Sequence, residues 1–242
     1  MNKKLDAAEQ KKLAAEYAVD TLFSEGKIFS GIKIGLGTGS TAIHAVRKIA
    51  ALVEAGTLKD VFAVPTSYQT SVECEKLGLP IYSLNSRRIE GGLDLTIDGA
   101  DEADEHKNLI KGGGAALLKE KITAYNSAQF VIVADERKKV KTLGTGFALP
   151  VEIAPDAMTS IIKQLEKDGA AAVLREGVRK MGPVITDNGN FIIDVRWPRP
   201  LQSPEKTEDA LNQITGVIEN GLFTKIKPRI FIAHADGSVE DL

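Results

Sequence analysis

From residue 31 to about 140 the chain alternates short apolar runs with stretches of helical spacing, and no other feature limits its folding choices so strongly. Ile32–Ile34, Val61–Val64, Pro80–Tyr82, Leu93–Ile97 and Phe130–Val133 read as short buried strands. Segments 5–24 and 40–55 carry apolar residues at helical intervals. Strands that alternate with helices are joined by crossovers, which gives βαβ units and a mostly parallel, doubly wound α/β sheet. Ligands of such sheets lie beyond the carboxyl ends of the strands. The residues that follow each strand are therefore the candidates for chemistry.

After about residue 147 the rhythm changes. Leu149–Ile153 reads as strand, 157–168 as helix and Ala171–Leu174 as strand. Asp187-Asn188-Gly189-Asn190 signals a turn into the strand Phe191–Val195, followed by a helix at 205–214 and a strand at 217–222. The order β-α-β-β-α-β is the split βαβ pattern of a smaller ferredoxin-like α+β domain. Lys227-Pro228 breaks the chain before a last apolar strand, Ile230–Ala233, which is expected to rejoin the first sheet. The expected division is 1–147 plus 224–242 for a Rossmann-like domain and 148–223 for the ferredoxin-like one.

Charge narrows the function classes. Lys and Arg number 31 against 33 Asp and Glu, so the basic footprint of a nucleic-acid binder is missing. The only cysteine, Cys74, excludes an internal disulfide and fits a reducing compartment. Residues 1–20 mix charged and apolar residues, unlike a secretory leader. No apolar run approaches the roughly 18 residues of a membrane span. The expectation is a soluble cytoplasmic protein with neither nucleic acid nor membrane as partner.

Three segments could carry chemistry. In IKIGLGTGSTA, 32–42, a strand runs into Gly35, Gly37 and Gly39, and Ser40 and Thr41 open a helix. Glycines let backbone approach a ligand, and free N–H groups at a helix start favour an anion. No lysine precedes Ser40, so this is not a Walker loop, and Ser40 stands where a dinucleotide fingerprint has its third glycine. A phosphate on a small substrate suits the segment better than a nicotinamide cofactor, with a tight packing turn as the bland alternative. In LDLTIDGADEAD, 93–104, Asp98 ends a strand and Gly99 permits a turn presenting Asp101; two such carboxylates can move hydroxyl protons. The bland alternative is a solvated acidic loop, since Glu102, Asp104 and Glu105 follow. In KGGGAALLKEKI, 111–122, a helix begun near Gly112 would put Gly113, Ala116 and Glu120 on one face, with Leu118, Ile122 and Tyr125 toward the core. Lys111 could reach the space under Glu120, and bare glycine amides could bind oxygen. The alternative is a surface glutamate between Lys119 and Lys121. His44, His106 and His234 are scattered without metal-ligand spacing. Trp197 in VRWPRP reads as packing or an interface contact.

Taken together, GTGSTA, DGADE, KGGGAALLKEKI and VADERKK resemble ribose-5-phosphate isomerase of the A type, as do LPVEI at 149–153, TDNGNFIIDV at 186–195 and GVIENGLF at 216–223. The resemblance implies a Rossmann-like domain with a smaller ferredoxin-like one. It also implies isomerisation of ribose 5-phosphate through an enediolate, without metal or redox cofactor, by a homodimer or homotetramer. By the same resemblance Thr38, Gly39, Ser40 and Thr41 form one substrate loop, Asp98, Gly99, Ala100 and Asp101 a second, and Lys111, Gly112, Gly113 and Gly114 a third. Glu120 matches the proton acceptor and Lys138 a substrate-binding lysine. Arg137 departs from the family, which has a serine there, and the 196–205 stretch is richer in proline and arginine. Two rivals share the fold. A phosphosugar-binding regulatory domain would normally bring a DNA-binding helical domain, and a CoA transferase a longer chain.

Overall fold

The computed structural model describes residues 4–242; Met1 to Lys3, the first residues of the stretch read above for a leader, lie outside the described residues. Along the chain come α1 (Ala7–Ser24), β1 (Lys33–Leu36), α2 (Gly39–Glu54), β2 (Phe62–Pro65), α3 (Tyr68–Lys76) and β3 (Leu93–Gly99). Next are β4 (Glu102–Ala103), β5 (Leu109–Ile110), α4 (Leu117–Tyr125), β6 (Ser127–Asp135), β7 (Leu149–Ile153), α5 (Met158–Lys167) and β8 (Ala171–Leu174). Then follow β9 (Phe191–Arg196), α6 (Pro204–Asn212), β10 (Val217–Asn220), β11 (Leu222–Phe223), β12 (Arg229–Ala233) and β13 (Val239–Asp241). Packing groups the described residues into two compact units. One holds the chain up to Gly99 with Lys119–Lys138 and Pro228–Leu242, the other Ala100–Leu118 with Lys139–Lys227.

The first unit is built on a sheet ordered β13-β12-β6-β3-β1-β2, parallel throughout except for β13, which runs antiparallel to β12. β12 does lie in this sheet, beside β6. The expected strand Pro80–Tyr82 shrinks to a single bridge between Ile81 and Ala63. Pro80 has no N–H to give to a ladder, and the chain turns away at once. α1 starts at a capping box: Asp6 accepts from the Ala8 and Glu9 amides while Glu9 reaches back to the Asp6 amide. It buries Ala14, Ala15, Ala18, Val19 and Leu22; α2 buries Ala42, Ala45, Val46, Ile49 and Ala50. Apart from Ala42, these residues share one core with Ile34, Leu36, Leu95, Ile97 and Val131, and each fully buried Val, Leu or Ile among them contributes roughly 1.5–3 kcal/mol. Gly35 lets α4 approach β1: a Cβ there would lie 2.5 Å from Thr123 Cγ2 and 2.0 Å from Thr96 Oγ1.

The second unit holds a four-stranded antiparallel sheet ordered β10-β7-β9-β8, which with α5 and α6 is the ferredoxin-like arrangement. β7 is central and buried along its whole length. Leu149, Val151 and Ile153 pack with Ile161, Leu165, Ile193, Val195 and Leu211, and Trp197 packs partly buried against them. Glu152, on the same strand, accepts hydrogen bonds from Thr186, Asn188 and Asn190 and so fastens the expected turn at 187–190. A second sheet, β11-β5-β4, is antiparallel and belongs to the same unit. The apolar pattern gives no sign of β4, β5 or β13.

Candidate active site

In the first unit the site residues gather at the carboxyl ends of β1, β3 and β6. Asp98, fully buried at the end of β3, accepts from the Thr38 amide at 3.0 Å and the Gly99 amide at 2.7 Å through Oδ1. Gly37 has no alternative there, because a Cβ would stand 2.1 Å from Asp98 Oδ1. Thr38 is the N-cap of α2, yet its side chain makes no capping bond. Its hydroxyl instead joins a buried cluster with Thr66 at 2.8 Å and Ser67 at 2.7 Å, and Thr70 donates to the Gly37 carbonyl. The amides at the start of α2 are thus left uncapped by Thr38, with Gly39 at φ +95° opening the turn. Lys11 of α1 donates to Ser40 Oγ at 2.9 Å, which brings a cation to the same helix start.

Glu120 lies on α4 and is only 4 % exposed; Lys121 beside it is equally buried. A surface glutamate between two solvated lysines is therefore excluded. Lys119 instead lies over the Tyr68 ring. Lys138 is half-buried in the single turn 136–138 that follows β6. Asp135, buried at the end of β6, accepts from Arg137 Nε at 2.6 Å. Burial pushes the Asp135 carboxyl up, but the hydrogen bond and charge of Arg137 outweigh it and hold the group below its ordinary range.

In the second unit Asp101 donates its amide to the Ile110 carbonyl and accepts from the Gly113 amide at 2.8 Å. Lys111 is buried, with its amide on the Gly221 carbonyl and its ammonium over the Phe223 ring. Gly112 adopts φ +104° and Ala115 φ +57°, so the glycines form a turn rather than a helix start. α4 begins only at Leu117. The expected face of Gly113, Ala116 and Glu120 does not exist, and Ile122, assigned to the core, is 43 % exposed. Left-handed residues cannot sit inside a right-handed helix, which is why the start moves five positions.

In the acidic run only Glu105 is solvated. Glu102 is buried and accepts from the amides of Gly144, Gly146 and Phe147 at 2.6, 2.6 and 2.7 Å. Asp104 is buried against the Asn108 side chain and amide. Two further residues join the glycine turn without a motif to mark them: Arg175, whose guanidinium donates to the Gly112 and Gly113 carbonyls, and Asp194, which holds that guanidinium. The single signal was an arginine directly after the strand Ala171–Leu174. The hydroxyls of Thr66, Ser67 and Thr70 were announced only by their place after β2.

The family model of ribose 5-phosphate isomerase A (phosphoriboisomerase A) matches residues 62–237. The ribose-5-phosphate isomerase A of Treponema denticola is 65% identical over 239 residues, which covers 98% of this chain and 100% of that protein. A solved structure of D-ribose-5-phosphate isomerase in complex with phospho-erythronic acid matches with a TM-score of 0.91 at 41% identity, covering 98% of this chain and 99% of that one. The isomerase structure from Methanocaldococcus jannaschii matches with a TM-score of 0.87 at 40% identity, covering 97% and 98%.

Proposed function

This chain belongs to the ribose 5-phosphate isomerase A family, and from that membership we propose how its own residues divide the work. It is an aldose–ketose isomerase interconverting D-ribose 5-phosphate and D-ribulose 5-phosphate, a step of the non-oxidative pentose phosphate pathway. The non-catalytic rival falls away, because full-length relatives at this identity are isomerases.

Glu120 is the base. It removes the proton from C2 of the open-chain aldose and returns it to C1, while the proton on O2 passes to O1. The carbon acid yields an enediolate, and its negative oxygen needs donors already in place. Lys111 and the amides of Gly112 and Gly114 supply them, while the Gly113 amide holds Asp101 in place. Asp98 and Asp101 handle the hydroxyl protons and ring opening, with Gly99 and Ala100 lining the sugar. The α2 start, Thr38 to Thr41, and Lys138 take the phosphate. No metal or redox group enters this scheme.

One observation carries the reading: Glu120 is a carboxylate from which water is almost wholly excluded, on a helix with exposed positions available. Replacing it by Gln keeps size and removes the basic oxygen. General acid–base catalysis is worth about 10²–10⁴-fold, so kcat of Glu120→Gln should fall that far with KM little changed. Wild type in D₂O should exchange the transferred hydrogen at least partly with solvent, and the variant should nearly cease to. A folded variant with near-normal turnover would sink the assignment.

The protein works in the cytoplasm as a homodimer or homotetramer. Family membership supports the assembly, and the exposed apolar residues Val178, Met181 and Ile185 of the second unit are consistent with it. The lone, buried Cys74 fits a reducing compartment. Light scattering on the purified chain checks the assembly; a monomer at working concentration would overturn it.

A further inference from the structure

Two consecutive peptide units of the glycine turn are held by one side chain. Arg175 Nη1 donates to the Gly112 carbonyl at 3.0 Å and to the Gly113 carbonyl at 3.2 Å. Nε and Nη2 are bound bidentately by Asp194 at 2.8 and 2.5 Å, so the guanidinium plane is fixed before it meets the turn. The Arg175 backbone is fixed as well, its amide on the Ile192 carbonyl and its carbonyl accepting from the Val184 amide. From the other side, Asp101 accepts from the Gly113 amide. The peptide between Gly112 and Gly113 is therefore held at both its oxygen and its N–H.

The next peptide is held at the oxygen alone. A trans peptide points its N–H opposite to its C=O, so the grip on the Gly113 carbonyl sends the Gly114 N–H away from Arg175. Three glycines in a row have little intrinsic preference for one conformation. The turn's own closure, the Ala115 amide on the Gly112 carbonyl at 3.0 Å, does not reach the Gly113–Gly114 peptide, and Arg175 is what holds that one.

We propose that Arg175 is a positioning residue for the isomerisation: with Asp194 it locks the glycine turn so that the Gly114 N–H is already aimed at the enediolate oxygen. This rests on the reading of Lys111–Gly114 as the oxygen-binding segment. Only a planar fork serves two carbonyls and a carboxylate at once, so lysine is no substitute.

Arg175 and Asp194 line an open cleft of about 470 Å³ with Gly113, Phe147, Ala148 and Val173, roomy enough to admit a guanidinium ion. The test uses Arg175→Ala and Arg175→Lys in the full-length protein, with thermal melts confirming folding. Each is assayed for kcat and KM, and for inhibition by phospho-erythronic acid and by inorganic phosphate. The carboxylate of phospho-erythronic acid stands in for the charged enediolate oxygens, whereas phosphate reports only the anion subsite. For Arg175→Ala we expect kcat to fall about 10- to 100-fold, below or near the loss seen when one oxyanion donor is removed. Phospho-erythronic acid should weaken by a similar factor, inorganic phosphate should not, and millimolar guanidinium should restore part of the rate. Arg175→Lys should lie nearer to Ala than to wild type. If Arg175→Ala does not fold, Arg175→Lys carries the same comparison. Unchanged kcat in a folded variant overturns the proposal, as does equal weakening of both inhibitors or a lysine variant as fast as wild type. Those outcomes leave the catalytic reading standing if wild type turns over ribose 5-phosphate; an inactive wild type refutes that reading instead.

Discussion

At the scale of single residues, close approach decides more than charge. Gly37 touches the Asp98 carboxylate so closely that a Cβ would meet Oδ1 at 2.1 Å and the Asp98 Cα at 2.6 Å. Gly37→Ala must therefore push Asp98 off the Thr38 and Gly99 amides. Overpacking of this kind costs about 1–3 kcal/mol, and we expect at least a tenfold loss of kcat/KM together with a lower denaturation midpoint. A variant as active and stable as wild type would show that the two strand ends tolerate separation. Arg137 acts through charge. Its bond to Asp135 holds that carboxyl below the ordinary value of 3.8, and Arg137 itself is raised by the same bond. A depressed folded-state pKa gives stability that is present above the unfolded value and fades as pH falls through the folded one. Arg137→Ser removes the guanidinium bond and charge and leaves only the Lys138 charge and the residue-137 amide to oppose burial, so the Asp135 pKa rises and acid unfolding should begin at higher pH than in wild type. Arg137 is largely exposed, so solvent screens the pair and the shift should be small. Melting temperatures between pH 3 and 7 read it directly; identical acid limbs would count against the pair.

At the scale of elements, α2 is a helix whose cap residue faces elsewhere. The Thr38 hydroxyl belongs to the Thr66–Ser67–Thr70 cluster and leaves the amides at the helix start uncapped, as the proposed phosphate site requires. Binding energy from the remote phosphate then contributes to turnover as well as affinity, and unphosphorylated ribose should be a very poor substrate. Comparable kcat/KM for ribose and ribose 5-phosphate would contradict this. The loop at 144–147 depends in the same way on Glu102, which caps three of its amides. Glu102→Gln replaces an acceptor by a donor facing N–H groups, and should cost about 1.5–3 kcal/mol in urea unfolding; an unchanged midpoint would mean that the loop is held by other contacts. Elements set by periodicity were legible in the sequence. β1, β2, β3, β6 and the whole split βαβ run lie within a few residues of their expected places. What was illegible depends on partners far along the chain. Glu102 looks solvated until its amides, more than 40 residues on, are in view, and Arg175 looks like any surface arginine until two glycine carbonyls 62 and 63 residues earlier reach it. The start of α4 was misread because left-handed backbone at Gly112 and Ala115 is a tertiary outcome that composition alone does not state.

At the scale of the whole molecule, the residues proposed for catalysis come from segments scattered between Thr38 and Lys138. The proposed chemistry draws its positive charge from Lys111 and from backbone amides, so activity should survive EDTA. Loss on chelation and recovery with a divalent ion would replace the lysine and amides by a metal in the scheme. No helix among the described residues is long and apolar enough to cross a membrane. Each unit is assembled from separated stretches of chain, three in one case and two in the other. In the first of them, β12 fills a place between β6 and β13. That place has a consequence for biosynthesis. While the ribosome still holds residues 229–233, the nascent chain has β6 with one hydrogen-bonding edge open, and β6 carries the half-exposed Lys138 turn at its end. The sheet that carries Asp98 thus closes only after residues 229–233 have left the ribosome, and a message truncated before codon 229 yields a chain whose β6 keeps an unpaired edge.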